Sequence, residues 1–416
     1  MFPKVLNARQ RFPPSRPVDI AAALASHWPF AIAPGAQIAI AVGSRGIARV
    51  AEVARAVIDR VRAAGGHPYI VPAMGSHGGG TAEGQASLLA EYGITEAALG
   101  VPIRASMDVQ QVATIEDGVP VHLAREAARA DGIIAISRVK PHTSFRGPVE
   151  SGVAKMIAVG LGKRDGATAF HAAADRFGFP RVIEGMARAK LRAAPFLGGV
   201  ALLEDQHHAL AKVAVLRADE IMEREPALLA EAWALMPRLP VREIDLLIVD
   251  AIGKNISGAG MDPNVTGRGF AGPAPPGAPP VPTVHRLFAR ELTTETQGNA
   301  IGIGLADFTT TRLVRAIDRE ATYTNALASL SLRAAKIPIH FDRDRDVITQ
   351  ALATLPLRDP REARVLRIAN TLDIETVQLS PACFADGAPP ANLEIAGPPS
   401  DLTFDGDGNL APLRAS

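Results

Sequence analysis

A chain of 416 residues with 47% hydrophobic content can bury a sizeable core and is long enough for two domains. Its net charge of +1, without basic or acidic runs, gives no footprint for nucleic acid or for an anionic membrane surface. The single Cys383 excludes an intramolecular disulfide framework, and with neither a signal-like start nor an apolar stretch of spanning length the chain reads as cytoplasmic.

The first half alternates between strand and helix patterns. Gln37–Val42 reads as a buried strand, and Val50, Val53, Ala54, Val57, Ile58 and Val61 recur at helical spacing between Ile47 and Ala64. Gly65-Gly66 closes that helix and Tyr69–Val71 opens another strand. Thr81 is placed to cap a helix through Leu88, Leu89 and Tyr92, Asp117-Gly118 predicts a hairpin, and Gly132–Ile136 predicts a further buried strand. Such alternation implies a mostly parallel sheet, whose ligands collect at the carboxyl ends of the strands. The loops Gly43–Ile47, Gly75–Thr81 and Ser137–Gly147 each follow a predicted strand and are expected on one edge.

A second unit is expected from Val241. Ile244–Val249 is a strand followed by a glycine-rich segment to Arg268, and Ala271–Pro282 reads as an exposed Pro/Gly loop. Thr311–Leu330 predicts helix, and Val365–Ile368 and Thr376–Leu379 predict strands. The expectation is an α/β protein of two domains, residues 1–240 and 241–416. Each would hold a mainly parallel sheet flanked by helices, with the active site in the cleft between them.

Chemistry concentrates around one lysine. Lys155 stands in the apolar run Ser151–Gly162, where burying an ammonium is expensive unless it is paired, neutralised or modified. A helix carrying one lysine outward gives the same pattern, and Lys163, four residues beyond Val159, reads as that outward kind. His142, after Pro141 at the end of a strand, is aimed by the extended geometry that proline imposes on Lys140. His171 on a helix reads equally as a core histidine. His77 lies in Gly75-Ser-His-Gly-Gly-Gly-Thr81, where the glycines Gly78, Gly79 and Gly80 would let backbone N–H groups approach a phosphate ahead of a helix starting at Thr81. A flexible loop with an exposed histidine would look the same. Arg45, after the first strand, can clamp a carboxylate, and Lys254 and Arg268 stand in the polar loop of the second half.

Together these residues resemble the nickel-dependent lactate racemase family of 2-hydroxyacid racemases and epimerases. The family's first catalytic histidine lies in a Gly-Thr-His segment with Thr-x-Glu after it, matched by Gly75-Ser76-His77 and Thr81-Ala-Glu83. The second follows a proline, as in Pro141-His142. A downstream lysine carries a covalently joined, pyridinium-derived nickel-pincer nucleotide, and this corresponds to Lys155. A histidine sixteen residues further binds the nickel, as His171 is placed to do. Arg45 corresponds to the substrate arginine, and Lys254 and Arg268 are candidate substrate contacts. The chain departs from the family around Val42, where an Asp is usual, and in Ser144–Glu150, where lactate racemases carry a Gly-Tyr-Ser-Gly-Gly-like segment.

The resemblance implies an isomerase that inverts a 2-hydroxy acid by moving hydride between the carbinol carbon and the cofactor. His77 and His142, on opposite faces, would exchange the hydroxyl proton. It implies transient partners in the enzymes that make the cofactor. A sugar-acid epimerase with the same cofactor is an alternative, with Arg146 and Glu150 serving extra hydroxyls. A nickel-independent lyase or hydrolase and a non-catalytic small-acid binding protein are the others.

Overall fold

In the computed structural model, which describes residues 2–43, 46–269, 280–385 and 387–413, the chain divides between two units. Pro14–Met236 build one; Met1–Pro13 join the C-terminal part from Pro237 onward in the other. The strands in chain order begin with β1 (Val5–Gln10), β2 (Gln37–Val42), β3 (His67–Pro72), β4 (Val109–Ile115), β5 (Val119–Ala124), β6 (Gly132–Arg138), β7 (Phe196–Glu204) and β8 (Leu210–Arg217).

The first unit is built on a sheet of order β3-β2-β6-β7-β8, parallel except where β8 returns antiparallel to β7. Ile40 sits opposite Ile70 on one side and Ile134 on the other. All three are fully buried, as the continuous apolar runs require of strands covered on both faces. The helix Val50–Ala63 buries the six residues whose spacing predicted it. Asp117 and Gly118, both at positive φ, turn β4 back onto β5 in the expected hairpin. Because β3, β2 and β6 are parallel neighbours, the loops after Val42, Pro72 and Arg138 leave from one edge of the sheet.

The second unit continues with β9 (Glu243–Ile252), β10 (Thr283–Leu292), β11 (Phe308–Thr310), β12 (Ile339–Phe341), β13 (Val365–Ile368), β14 (Thr376–Leu379) and β15 (Leu393–Ser400). Its sheet runs β12-β11-β10-β9-β13-β14-β1-β15, parallel from β12 to β13 and antiparallel from β13 onward. The division at 240/241 therefore needs one correction. β1 belongs with the C-terminal residues, because its ladder partners are β14 and β15. Thr311–Leu330 also differs from expectation. It forms two helices, Thr311–Arg315 and Arg319–Ala328, because the Asp318 side chain accepts from Ala321 N and starts the second one. Of the predicted loop Ala271–Pro282, residues 271–279 lie outside the described residues. No helix among the described residues is long and apolar enough to cross a membrane.

Candidate active site

Of the candidate residues, Arg45, His77 and His142 follow β2, β3 and β6 at the carboxyl edge of the first unit's sheet, and Lys155 and His171 stand on the helices Val153–Ala158 and Lys163–Phe177. Arg45, after β2, lies outside the described residues. The chain just beyond it is tied down by β6 and β7. Arg138 donates to Gly46 O (3.1 Å) and pairs with Glu204, which also accepts from Ala48 N (2.8 Å).

After β3, Gly75 N donates to Gly160 O (3.0 Å), which lays the His77 loop against the segment that follows Lys155. Gly78, at φ +65, packs so closely on the backbone of Gly84 and Gln85 that no Cβ fits, whereas Gly79 has open space around its Cα. Thr81 caps the next helix as expected, its Oγ1 accepting from Gly84 N (3.0 Å). His77 is half-buried, and its carbonyl oxygen is 3.4 Å from Gln85 Nε2, which donates more strongly to Gly75 O (2.8 Å).

Gln85 leads to a residue the sequence misplaced. Lys163 is 1% exposed, not turned outward, and its Nζ donates to Pro72 O (2.6 Å) and Gln85 Oε1 (2.9 Å). Burial pulls its ammonium down to about 8. The helix bearing Lys155 stops at Ala158, and Lys163, at φ +55, opens the next helix, so helical phase counted from Val159 does not reach it.

After β6, residues 141–150 form a loop closed at its base by the reciprocal backbone bonds of Lys140 and Ser151 (3.0 and 3.2 Å). Its organiser is Glu150, whose side chain is fully buried. It accepts from His142 N (2.6 Å) and Gly147 N (3.3 Å) and faces Arg146 at 3.6 Å. Burial raises its carboxyl above the usual range, outweighing the donors and cations that favour the charge. Arg146 donates to His142 O (2.6 Å) and lies over the Trp233 ring. Glu150 is thus committed inside the loop and presents nothing to substrate hydroxyls, which corrects the use suggested for it in a sugar-acid site.

The loop presents His142 beside Phe145, ring centroids 4.2 Å apart, and Phe145 stacks on Phe179 at 4.9 Å. Lys155 Nζ lies 5.2 Å from the Phe145 ring, within cation–π range. His171 meets Phe179 edge-on, and its Nδ1 is buried without a hydrogen-bond partner. Burial and then the Lys155 charge lower its imidazole's affinity for a proton, so the neutral ring is favoured. His142 Nδ1 accepts from Ser144 N (3.1 Å), which leaves the proton of its neutral ring on Nε2. His142, Lys155 and His171 are therefore gathered around two stacked phenylalanines, with His77 on the adjoining loop. Among the described residues there is no group of three or more His, Cys, Asp or Glu able to hold a metal ion.

Lys254 and Arg268 belong to the second unit. Lys254 Nζ donates to Gly258 O (2.9 Å), and Arg268 donates to Val284 O (3.1 Å) and Asp307 Oδ1 (2.7 Å).

Two further buried charges were overlooked, although both stood in helical stripes. Glu225 follows Ile221 and precedes Leu228, Leu229 and Ala232 on the buried face of the helix Ile221–Leu235. Lys190 follows Val182, Ile183, Met186 and Ala187 on that of the helix Phe179–Ala193. A charge inside an apolar stripe was the signal that would have found them.

No curated protein matches the chain. Solved structures similar to the chain include the following two. The lactate racemase apoprotein from Thermoanaerobacterium thermosaccharolyticum has a TM-score of 0.49 and 12% identity, over 83% of this chain and 91% of that one. A Thermotoga maritima protein solved as a structural-genomics target has a TM-score of 0.47 and 14% identity, over 82% and 90%. A family model described as a domain of unknown function, DUF362, matches residues 41–269. That span holds His77, His142, Lys155 and His171 and exceeds half of the sequence, so the chain belongs to the DUF362 family.

Proposed function

We propose that the chain is a racemase or epimerase of 2-hydroxy acids in which Lys155 is the attachment residue of a nickel-pincer nucleotide. The observation that carries the reading is the convergence of Lys155, His142 and His171 on the Phe145–Phe179 stack. One residue fits the group directly: His171 Nδ1 is buried without a hydrogen-bond partner, on an imidazole whose neutral form, the one that ligates a metal, burial favours.

When bound, the cofactor supplies a reversible hydride acceptor, a chemistry that protein side chains lack. The rest falls to this chain. Lys155 anchors the cofactor and His171 ligates the nickel. Gly79, with nothing within 4 Å of where a Cβ would stand, admits a phosphate at its own backbone, the N–H groups of Gly80 and Thr81 being given to His77 O and Gly78 O. His77 takes the hydroxyl proton of one antipode. His142 is the proton donor on the opposite face: once Ser144 N has turned away, its ring takes up a second proton at Nδ1 and, as the imidazolium, gives the Nε2 proton to the substrate oxygen as the other antipode forms. Arg45 clamps the substrate carboxylate. The partners are a small hydroxy acid and, transiently, the enzymes that build the cofactor; the setting is cytoplasmic.

Production together with cofactor-synthesis enzymes, followed by intact mass and nickel analysis, tests this directly. The expected result is a mass increment and bound nickel that both vanish in Lys155→Ala, with racemisation lost in His77→Ala and His142→Ala. An unmodified, nickel-free chain under conditions that load a lactate racemase would overturn the assignment. Short hydroxy acids assayed beside sugar acids then fix the substrate class.

A further inference from the structure

The helix that carries Lys155, Val153–Ala158, has six residues, five of them buried. A helix this short is held by its surroundings and by what satisfies its end groups. At its start, Ala154 N donates to Glu225 Oε2 (3.0 Å), and the carboxylate lies so close to Gly152 that no Cβ could be placed there. Glu225 is 0% exposed and its Oε1 has no hydrogen-bond partner. At its end, Lys190 Nζ donates to Ile157 O and Ala158 O, both at 2.9 Å, and Lys190 is also 0% exposed. The two side chains come from different helices, Ile221–Leu235 and Phe179–Ala193. An acceptor at the amino end and a donor at the carboxyl end satisfy the N–H and C=O groups that so short a helix leaves open.

Apolar side chains in these positions would hold the unit together at lower desolvation cost, because buried charges seldom stabilise relative to packed hydrocarbon. Hydrocarbon cannot grip amide and carbonyl groups directionally. Neither charge reaches the aromatic pair or the imidazoles in the contacts described; each acts on the backbone of the Lys155 helix. We propose that Glu225 and Lys190 are positioning residues that fix the helix Val153–Ala158 at both ends and thereby aim Lys155 at the Phe145 ring. The inference rests on the functional reading above for what Lys155 is aimed to do, and on the geometry alone for the clamp.

The test uses full-length, unloaded protein: wild type, Glu225→Ala, Glu225→Gln and Lys190→Met. Hydrogen exchange is followed by peptide, and acetylation of Lys155 by an N-hydroxysuccinimide ester is measured relative to the exposed Lys336. Removing either grip is expected to speed exchange in a peptide covering 153–160 about tenfold or more and to change Lys155 labelling several-fold, with the β4–β5 hairpin unaffected. Glu225→Gln, which keeps an acceptor oxygen, should show a smaller effect. Wild-type exchange and labelling in folded Glu225→Ala and Lys190→Met would overturn the proposal. So would acceleration spread evenly over residues 14–236, the mark of general destabilisation. If either of those variants does not fold, Glu225→Gln and Lys190→Arg decide by the same criteria. A wild type that never takes up cofactor would sink the functional reading while leaving these measurements intact.

Discussion

Glu150 shows how much of a loop's shape can depend on one buried carboxyl. Its carboxylate receives the N–H of His142 and of Gly147 and faces Arg146, all inside a ten-residue loop closed by Lys140 and Ser151. Glu150→Ala leaves two amides without their acceptor and takes the facing carboxyl from Arg146, which keeps its bond to His142 O, in a buried setting. The expected loss is about 2–4 kcal/mol in urea unfolding. Glu150→Gln, with one carbonyl oxygen retained, should lose roughly half as much. An alanine variant as stable as wild type would mean that the loop holds its shape without Glu150. At this scale the sequence was legible where chemistry leaves a type-specific mark: the order Gly-Ser-His, Pro-His, Lys, His picked out His142, Lys155 and His171, which the fold gathers. It was illegible where burial depends on a distant partner. Lys163 was read outward because Pro72 and Gln85, its acceptors, are 91 and 78 positions away.

Helices and strands were more readable than the contacts between them. β2, β13 and β14 lie at the predicted residues, β2 as an apolar run and β13 and β14 as short alternating segments with no competing helical phase. The Lys155 helix is different, being a short element whose ends are satisfied from elsewhere. Its two grips have opposite pH linkage. Burial raises Glu225 from 4.5 to about 7, so its stabilising contribution is complete below pH 4.5 and is lost as pH rises through 7. Burial lowers Lys190 from 10.5 to about 7, so its contribution is complete above pH 10.5 and is lost as pH falls through 7. Wild type should therefore gain more stability between pH 7 and about 9.5 than Lys190→Met does. Lys163, also depressed, titrates in both proteins and cancels in the difference. Equal gains in urea-unfolding free energy would show that Lys190 is not held at a lowered proton affinity.

At the scale of the chain, the feature that local pattern could not reveal is the position of β1. Its residues have no strand neighbour nearby in sequence; Leu6 is opposite Leu379 and Ala8 is flanked by Val377 and Ile395. Val5 and Ala8 are buried, and Gln378 Nε2 donates to Asn7 Oδ1 at 3.0 Å. A chain beginning at residue 14 would leave the facing edges of β14 and β15 without the strand that joins them, while every strand of the first unit's sheet would still be present. The two tryptophans separate these consequences, because Trp28 and Trp233 both lie within Pro14–Met236. Tryptophan fluorescence follows the first unit, and far-ultraviolet circular dichroism follows both. The 14–416 chain should retain the wild-type fluorescence midpoint in urea, while the circular dichroism transition acquires an earlier phase from a second unit that has lost the strand next to one edge of its sheet. A fluorescence midpoint that falls together with the dichroism would show that the units unfold as one and that the loss of β1 is felt at the Lys155 site as well.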